Sequence, residues 1–281
     1  IFAALENAAQ ACLPASQMPA TESGHATKGA AQGLLALAHL TYGNYLDLTN
    51  QNGAAEHYEL ASSWANSVIL SGEYSLLNNY ADLWDVDKEN AAYREVIFSI
   101  RESRDAAVGA GAGGSGYASL AMPNTFYNTT GKVSVNRTGE GSFKVQPWFC
   151  EKYRTGEYTG DFRGEFSFLT RWVENGVNGK YRIAFPDVRI LPGTDETPED
   201  QPYINKYRDP KGLGTFNCEN DFFYLRLAEV YLIKAEAENE LNGPTAEAYA
   251  AFNKLRGRAR LADSTVRATP ADLTPGLSKE Q

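Results

Sequence analysis

His25, His39 and His57 are the three histidines of the chain, and all lie in or beside one alanine-rich stretch near its amino end. A nucleophilic triad would need one of them near an activated serine, and the sequence has no G-x-S-x-G turn to present it. His39 and His57 therefore read as helix-surface residues. Glu140, Glu151, Glu157, Asp161 and Glu165 could supply a carboxylate pair for glycoside hydrolysis, but no spacing singles out two of them. Cys12, Cys150 and Cys218 form no C-x-x-C pair and have no histidine at metal-ligand spacing, so they read as packed thiols. The "DVDKEN" run places Asp85, Asp87 and Glu89 like the first calcium ligands of an EF-hand. It has Asn90 where the loop needs glycine and Val96 where it needs the bidentate glutamate, so it reads as a solvated acidic turn. G-x-G-x-x-G occurs from Gly109 and again from Gly111. Pro123 and "MPNTFYNTTG" follow in place of the helix that dinucleotide binding requires. The chain thus offers no catalytic residues, no metal ligands and no cofactor site.

The aromatic residues are a different matter. Sixteen tyrosines, thirteen phenylalanines and four tryptophans accompany 25 glycines, which puts many rings outside regular elements. Tyrosine and tryptophan offer a flat apolar face and a polar tip, suited to sugar rings whose C–H faces stack while their hydroxyls bond to asparagine, arginine or aspartate. Tyr117, Phe126 and Tyr127 flank the glycine loop at 109–116 and lie beside Asn124, Asn128 and Thr129. The competing role for any one of these rings is packing in the local core.

Elements must hold these groups in place. A length of 281 residues and a hydrophobic fraction of 43% suffice for a buried core. Twenty-six basic against thirty-five acidic residues give a net charge of -9, which disfavours nucleic acid and anionic lipid surfaces. No apolar run approaches the ~20 residues of a membrane span. Residues 1–12 read as an amphipathic helix, without the basic start and apolar run of a signal peptide. Both ends look cut from something longer.

Helical periodicity predicts a first hairpin within 20–75. One helix spans 27–45, with Thr27 or Ser23 as N-cap, and another runs from Ala54 to a stop at Gly72. A second hairpin, 220–261, is hinged on Asn242-Gly243-Pro244. Tyr224, Leu227, Ala228, Tyr231 and Ala235 lie on one face of its first helix, and Thr245 caps its second. Lys254, Arg256, Arg258 and Arg260 suit the negative end of that helix. Between the hairpins, "EVIFSI" at 95–100 reads as a strand, and 95–210 as a loop-rich, aromatic insertion with short β-strands that forms the candidate ligand region. The fold class is mainly α, with tetratricopeptide-type hairpins as a discontinuous scaffold.

"LRLAEVYLIKAEAENEL" followed by "AFNKLRGRARL" resembles the signature hairpin of the SusD/RagB family. "TKGAA", "SGEYSLL", "YADLWD", "EVIFSI" and "NKYRDP" agree with it in order. Where the family often has Asp-Pro-Arg, this chain reads Asp161-Phe162-Arg163. The resemblance implies a single SusD-like domain over 1–281, truncated at both ends. It implies a non-catalytic protein of the outer-membrane surface that binds an oligosaccharide or polysaccharide and delivers it to a SusC-like TonB-dependent transporter. Membrane attachment would run only through an N-terminal lipid anchor that precedes this chain. The alternative is a helical-repeat module that partners a transporter for peptide or other nutrient uptake, without glycan binding. The neighbourhood carried over is 101–127 together with Trp148, giving Tyr117, Asn124, Phe126, Tyr127 and Trp148 as the carbohydrate-binding candidates.

Overall fold

The computed structural model describes residues 1–105, 114–123, 140–174, 180–184, 195–199, 201–209, 218–262 and 265–281. Helix α1 (Phe2–Ala11) leads into the first hairpin, α2 (Lys28–Leu48) and α3 (Ala54–Leu70). Thr27 caps α2 by accepting the Ala30 N–H at 3.2 Å, and Gly53, at φ 104°, makes the turn into α3. The insertion carries α4 (Glu89–Ala92), β1 (Val96–Ile100), α5 (Tyr117–Ala121), α6 (Pro147–Arg154) and α7 (Phe162–Ser167). The strands β2 (Phe168–Leu169), β3 (Arg171–Val173), β4 (Lys180–Ala184), β5 (Asp195–Glu199) and β6 (Tyr203–Ile204) follow. Then come β7 (Phe222–Arg226), α8 (Leu227–Asn242), α9 (Ala246–Ala259), β8 (Leu261–Ala262) and β9 (Thr265–Val266).

The hairpins stack in one layer although the insertion separates them in sequence. Helix α1 lies on α2, α2 on α3, α3 on α8 and α8 on α9. Fully buried Ala61, Ala65 and Ala237 let the helix axes approach. Gly33 and Gly43 extend this logic. A Cβ on Gly33 would meet Leu225 Cδ2 at 2.5 Å, and one on Gly43 would meet the Tyr58 ring at 2.7 Å. Buried Leu40, Leu46, Tyr58, Val68, Val230 and Ile233 fill the main core between the hairpins. Ser62 Oγ donates to Glu238 across them at 2.6 Å.

Two expectations are corrected here. Residues 222–226, read as the start of the second hairpin's first helix, form β7 and pair antiparallel with β1, Val96 opposite Arg226 and Ile100 opposite Phe222. Alternation then applies, so Phe223 and Leu225 turn inward while Tyr224 is 51% exposed and does not share a face with Leu227. Arg258, grouped with the cations at the end of α9, is buried against Glu95 at 2.8 Å. The remaining hairpin features match: Gly243 turns at φ 74°, and Thr245 accepts the Ala248 N–H at 3.2 Å. The reading of 95–100 as a strand also matches β1.

His39 and His57 are corrected as well. His39 is 3% exposed, and its Nδ1 lies 2.8 Å from His57 Nδ1. Phe2 of α1 stacks on the His39 ring at 4.2 Å, so α1 covers a helix position that the α2 sequence alone left open. Burial, then the neighbouring His57, lowers the His39 pKa.

Candidate functional site

A buried charged knot fastens the second hairpin to the insertion. Glu95, 0% exposed, accepts from Arg226 Nη1 at 2.9 Å, from Arg258 Nη1 at 2.8 Å and from the Leu77 N–H at 2.9 Å. The Arg226 guanidinium sits over the Trp84 ring at 5.5 Å and that of Arg258 over Tyr80 at 5.2 Å. The ion cluster therefore positions two rings of the 3₁₀ turn Tyr80–Trp84. Asp221, 2% exposed, similarly ties down the chain leaving β1, taking the Glu102 N–H at 2.7 Å and Arg101 Nε at 3.1 Å.

Trp84 forms one wall of an open cleft of about 520 Å³. Tyr117 from α5, Lys144 and Gln146, Trp148 and Phe149 from α6, and Lys206 and Tyr207 after β6 complete most of its lining. The rings are held edge to face. Tyr117 meets Tyr207 at 4.8 Å and 68°, and Trp84 meets Tyr207 at 4.9 Å and 76°. Phe149 packs on Phe168 at 5.9 Å. Val145 N–H donates to Pro202 O at 2.8 Å, which pins the segment before α6 to the start of β6. Pro147 occupies the first turn of α6, where its missing N–H costs nothing. One turn of α6 then splits its residues, with Cys150 buried at 1% and Trp148 standing 63% exposed at the rim.

Tyr207 has φ 58°, a left-handed conformation that a bulky residue adopts only when its surroundings impose it. Burial first, then the neighbouring Tyr117, pushes its phenol up to about 12, so it keeps its proton and remains a donor. Burial also pushes the Tyr80 phenol up, but Lys206 and Arg226 more than offset this and hold it below the ordinary value.

Of the five candidates from sequence, Tyr117 and Trp148 come together in this cleft. Asn124, Phe126 and Tyr127 lie outside the described residues, as do positions 109–113 of the glycine loop. Trp84, Lys144, Phe149, Lys206 and Tyr207 were missed. Their only sequence signal was membership of "YADLWD" and "NKYRDP", or proximity to Trp148. Four of the five acids singled out in the insertion pair with nearby cations. Asp161 caps α7 and pairs with Arg163 at 2.6 Å, Glu151 pairs with Arg154 at 2.9 Å, Glu157 with Lys152 at 2.9 Å and Glu165 with Arg267 at 2.5 Å. Asp85 accepts the Asp87 N–H at 3.0 Å in a capped turn, while Glu89 faces inward and accepts the Asp221 N–H at 2.8 Å. Among the described residues no group of three or more histidine, cysteine or acidic side chains could hold a metal ion.

Stacked helical hairpins carry a loop-built, aromatic-lined cleft. The SusD family model matches residues 83–280, and the chain belongs to that family. A SusD-like protein of Formosa agariphila is 30% identical over 261 residues, covering 87% of this chain and 44% of its own length. The chain thus spans under half of that relative. A SusD homolog from Bacteroides thetaiotaomicron superposes with a TM-score of 0.70 at 20% identity, over 99% of this chain and 53% of its own. A laminarin-binding SusD-like protein gives 0.63 at 22% identity, over 95% and 54%. Surface glycan-binding protein A from Bacteroides thetaiotaomicron, solved with laminarihexaose, gives 0.65 at 17% identity, over 98% and 55%. These structural likenesses establish the fold. No helix among the described residues is long and apolar enough to cross a membrane.

Proposed function

We propose that the protein binds an oligosaccharide or polysaccharide in the cleft between Trp84, Tyr117, Trp148 and Tyr207, without catalysing its cleavage. The observation that carries this reading is the exposed Trp148 ring on the same cleft as Tyr117, with Gln146, Ser167 and two lysines among the lining. Flat faces with a few convergent polar groups are what a sugar ring requires. Among the described residues no carboxylate lines the cleft. The glycan-binding proteins of the same fold support the reading. Asn124, Phe126 and Tyr127 belong to the proposal as further contacts.

Delivery to a SusC-like TonB-dependent transporter, from a surface lipoprotein of the outer membrane, completes the proposal. It is supported by family membership and by the apolar side chains that the first hairpin leaves outside, Tyr45 at 51%, Leu48 at 84% and Leu70 at 80% exposure. Calorimetry against a panel of oligosaccharides tests the binding reading. Trp148→Ala should weaken binding at least about tenfold, since losing one stacked ring removes ~1.5 kcal/mol or more. Its exposure means the fold should be unaffected. A glycan that binds with unchanged affinity after Trp148→Ala would remove this cleft from the proposal. Co-purification of a TonB-dependent transporter from outer membranes tests delivery, and recovery without one would refute it.

A further inference from the structure

The lining of the cleft is charged opposite to the chain as a whole. Acidic residues outnumber basic ones by thirty-five to twenty-six, yet the described lining contains Lys144 and Lys206 and no aspartate or glutamate. Six cations elsewhere among the described residues are neutralised locally: Lys88, Lys152, Arg154, Arg163, Arg267 and Lys279 each sit against a carboxylate. Lys144 and Lys206 instead lie over rings. Lys144 Nζ is 5.2 Å from the centre of Tyr203, and Lys206 Nζ is 4.7 Å from that of Trp84 and 5.5 Å from that of Tyr80.

An ammonium on an aromatic face is attracted by the ring but keeps its full charge, and the apolar wall beside it limits screening. Against the effect of burial, Lys206, by charge and by a hydrogen bond, together with Arg226 holds the Tyr80 phenol below its ordinary value. The acidic excess elsewhere matters less, because at physiological ionic strength exposed charges are screened beyond about 8 Å. We infer that this cleft selects an anionic saccharide, one bearing carboxylate or sulfate-ester groups, with Lys144 and Lys206 as the specificity-determining cations and the rings stacking on the sugar faces. The inference rests on the proposal that the cleft binds glycan and narrows the substrate class.

Three oligosaccharides of matched length test it by calorimetry: an oligogalacturonide for carboxylate, a carrageenan oligosaccharide for sulfate ester, and a cello-oligosaccharide as the neutral reference. At least one anionic ligand should bind at least about tenfold more tightly than the neutral one, the scale of a single charge-assisted hydrogen bond, and lose most of that margin in high salt. Which of the two binds identifies the charged group. Lys144→Met and Lys206→Met keep the alkyl stems over the rings and remove only the charges. Each should cost the anionic ligand about tenfold and shift its salt dependence. Binding of the neutral ligand with equal affinity, indifferent to salt and to both methionine variants, would overturn the inference and leave the glycan proposal standing. Silence of the wild-type protein toward all three ligands and toward a wider oligosaccharide panel would remove both.

Discussion

Replacing Glu95 by glutamine tests whether the knot beneath the cleft holds the molecule together. The side chain is 0% exposed and accepts from Leu77 N, Arg226 Nη1 and Arg258 Nη1, so every lone pair it offers is engaged by a donor or a cation. Glutamine fits the space, but its amide nitrogen would face N–H groups that also donate. Arg258, 7% exposed, would lose its counter-charge, whereas Arg226 at 22% retains some access to water. Burial already pushes the Arg258 guanidinium below its ordinary value, and Glu95 is the first group that pulls it back. Breaking a buried pair from one side costs about 3–5 kcal/mol, and orphaning the Leu77 N–H belongs largely to the same loss. The expected cost is therefore about 4 kcal/mol, a drop in melting temperature on the order of 10 °C. Urea unfolding followed by tryptophan fluorescence measures it, with Lys152→Met as control, because the Lys152–Glu157 pair is exposed to solvent and should contribute little. Glu95→Leu combined with Arg258→Met, which removes charge from both sides, should recover at least half of the loss. An effect of Glu95→Gln no larger than that of the control would refute the reasoning.

Other outcomes can be checked with the same measurements. Gly43→Ala should destabilise by about 1–3 kcal/mol despite alanine's better helix propensity, because its Cβ would drive into the Tyr58 ring, whose hydroxyl donates to Asp47 at 2.7 Å. Gly257→Ala should stabilise by about 0.8 kcal/mol, since its Cβ would meet only the end of the Arg260 side chain, at 3.5 Å. Burial, partly opposed by the bond from the Asp221 N–H and reinforced by the Asp221 charge, pushes Glu89 up from 4.5 to about 7. Between those values the folded chain holds a proton that the unfolded chain releases, so stability falls as pH rises through 4.5 to 7 and is then constant. Because Glu89 is only half-buried, the effect is discounted to about 1–2 kcal/mol. Glu89→Gln should remove that fall when denaturation at pH 5.5 and pH 8 is compared, and an unchanged difference would refute the assignment.

Much of the scaffold was legible because it is local. Thr27, Gly53, Gly243 and Thr245 act through hydrogen bonds or backbone angles within a few residues, and the alanine pattern of α3, α8 and α9 announces close helix packing wherever a partner is found. The ordered pieces from "TKGAA" to "NKYRDP" likewise carried the family. The same periodicity misread residues 222–226, since a strand is decided by its partner, and β1 lies more than a hundred residues earlier. His39 and Arg258 show the limit again: each sits at an ordinary helical position, and α1 in one case and Glu95 in the other turned it inward. Composition made aromatic stacking the favoured chemistry, the neighbouring glycine loop marked Tyr117, and the family resemblance added Trp148. Only the tertiary structure decided that these two share a cleft with Trp84, Lys206 and Tyr207. A cleft is assembled from segments whose separation along the chain carries no record of their separation in space. For the same reason a chain of net charge -9 can line its cleft with lysines, since total charge is fixed by composition and local field by which side chains the fold brings together.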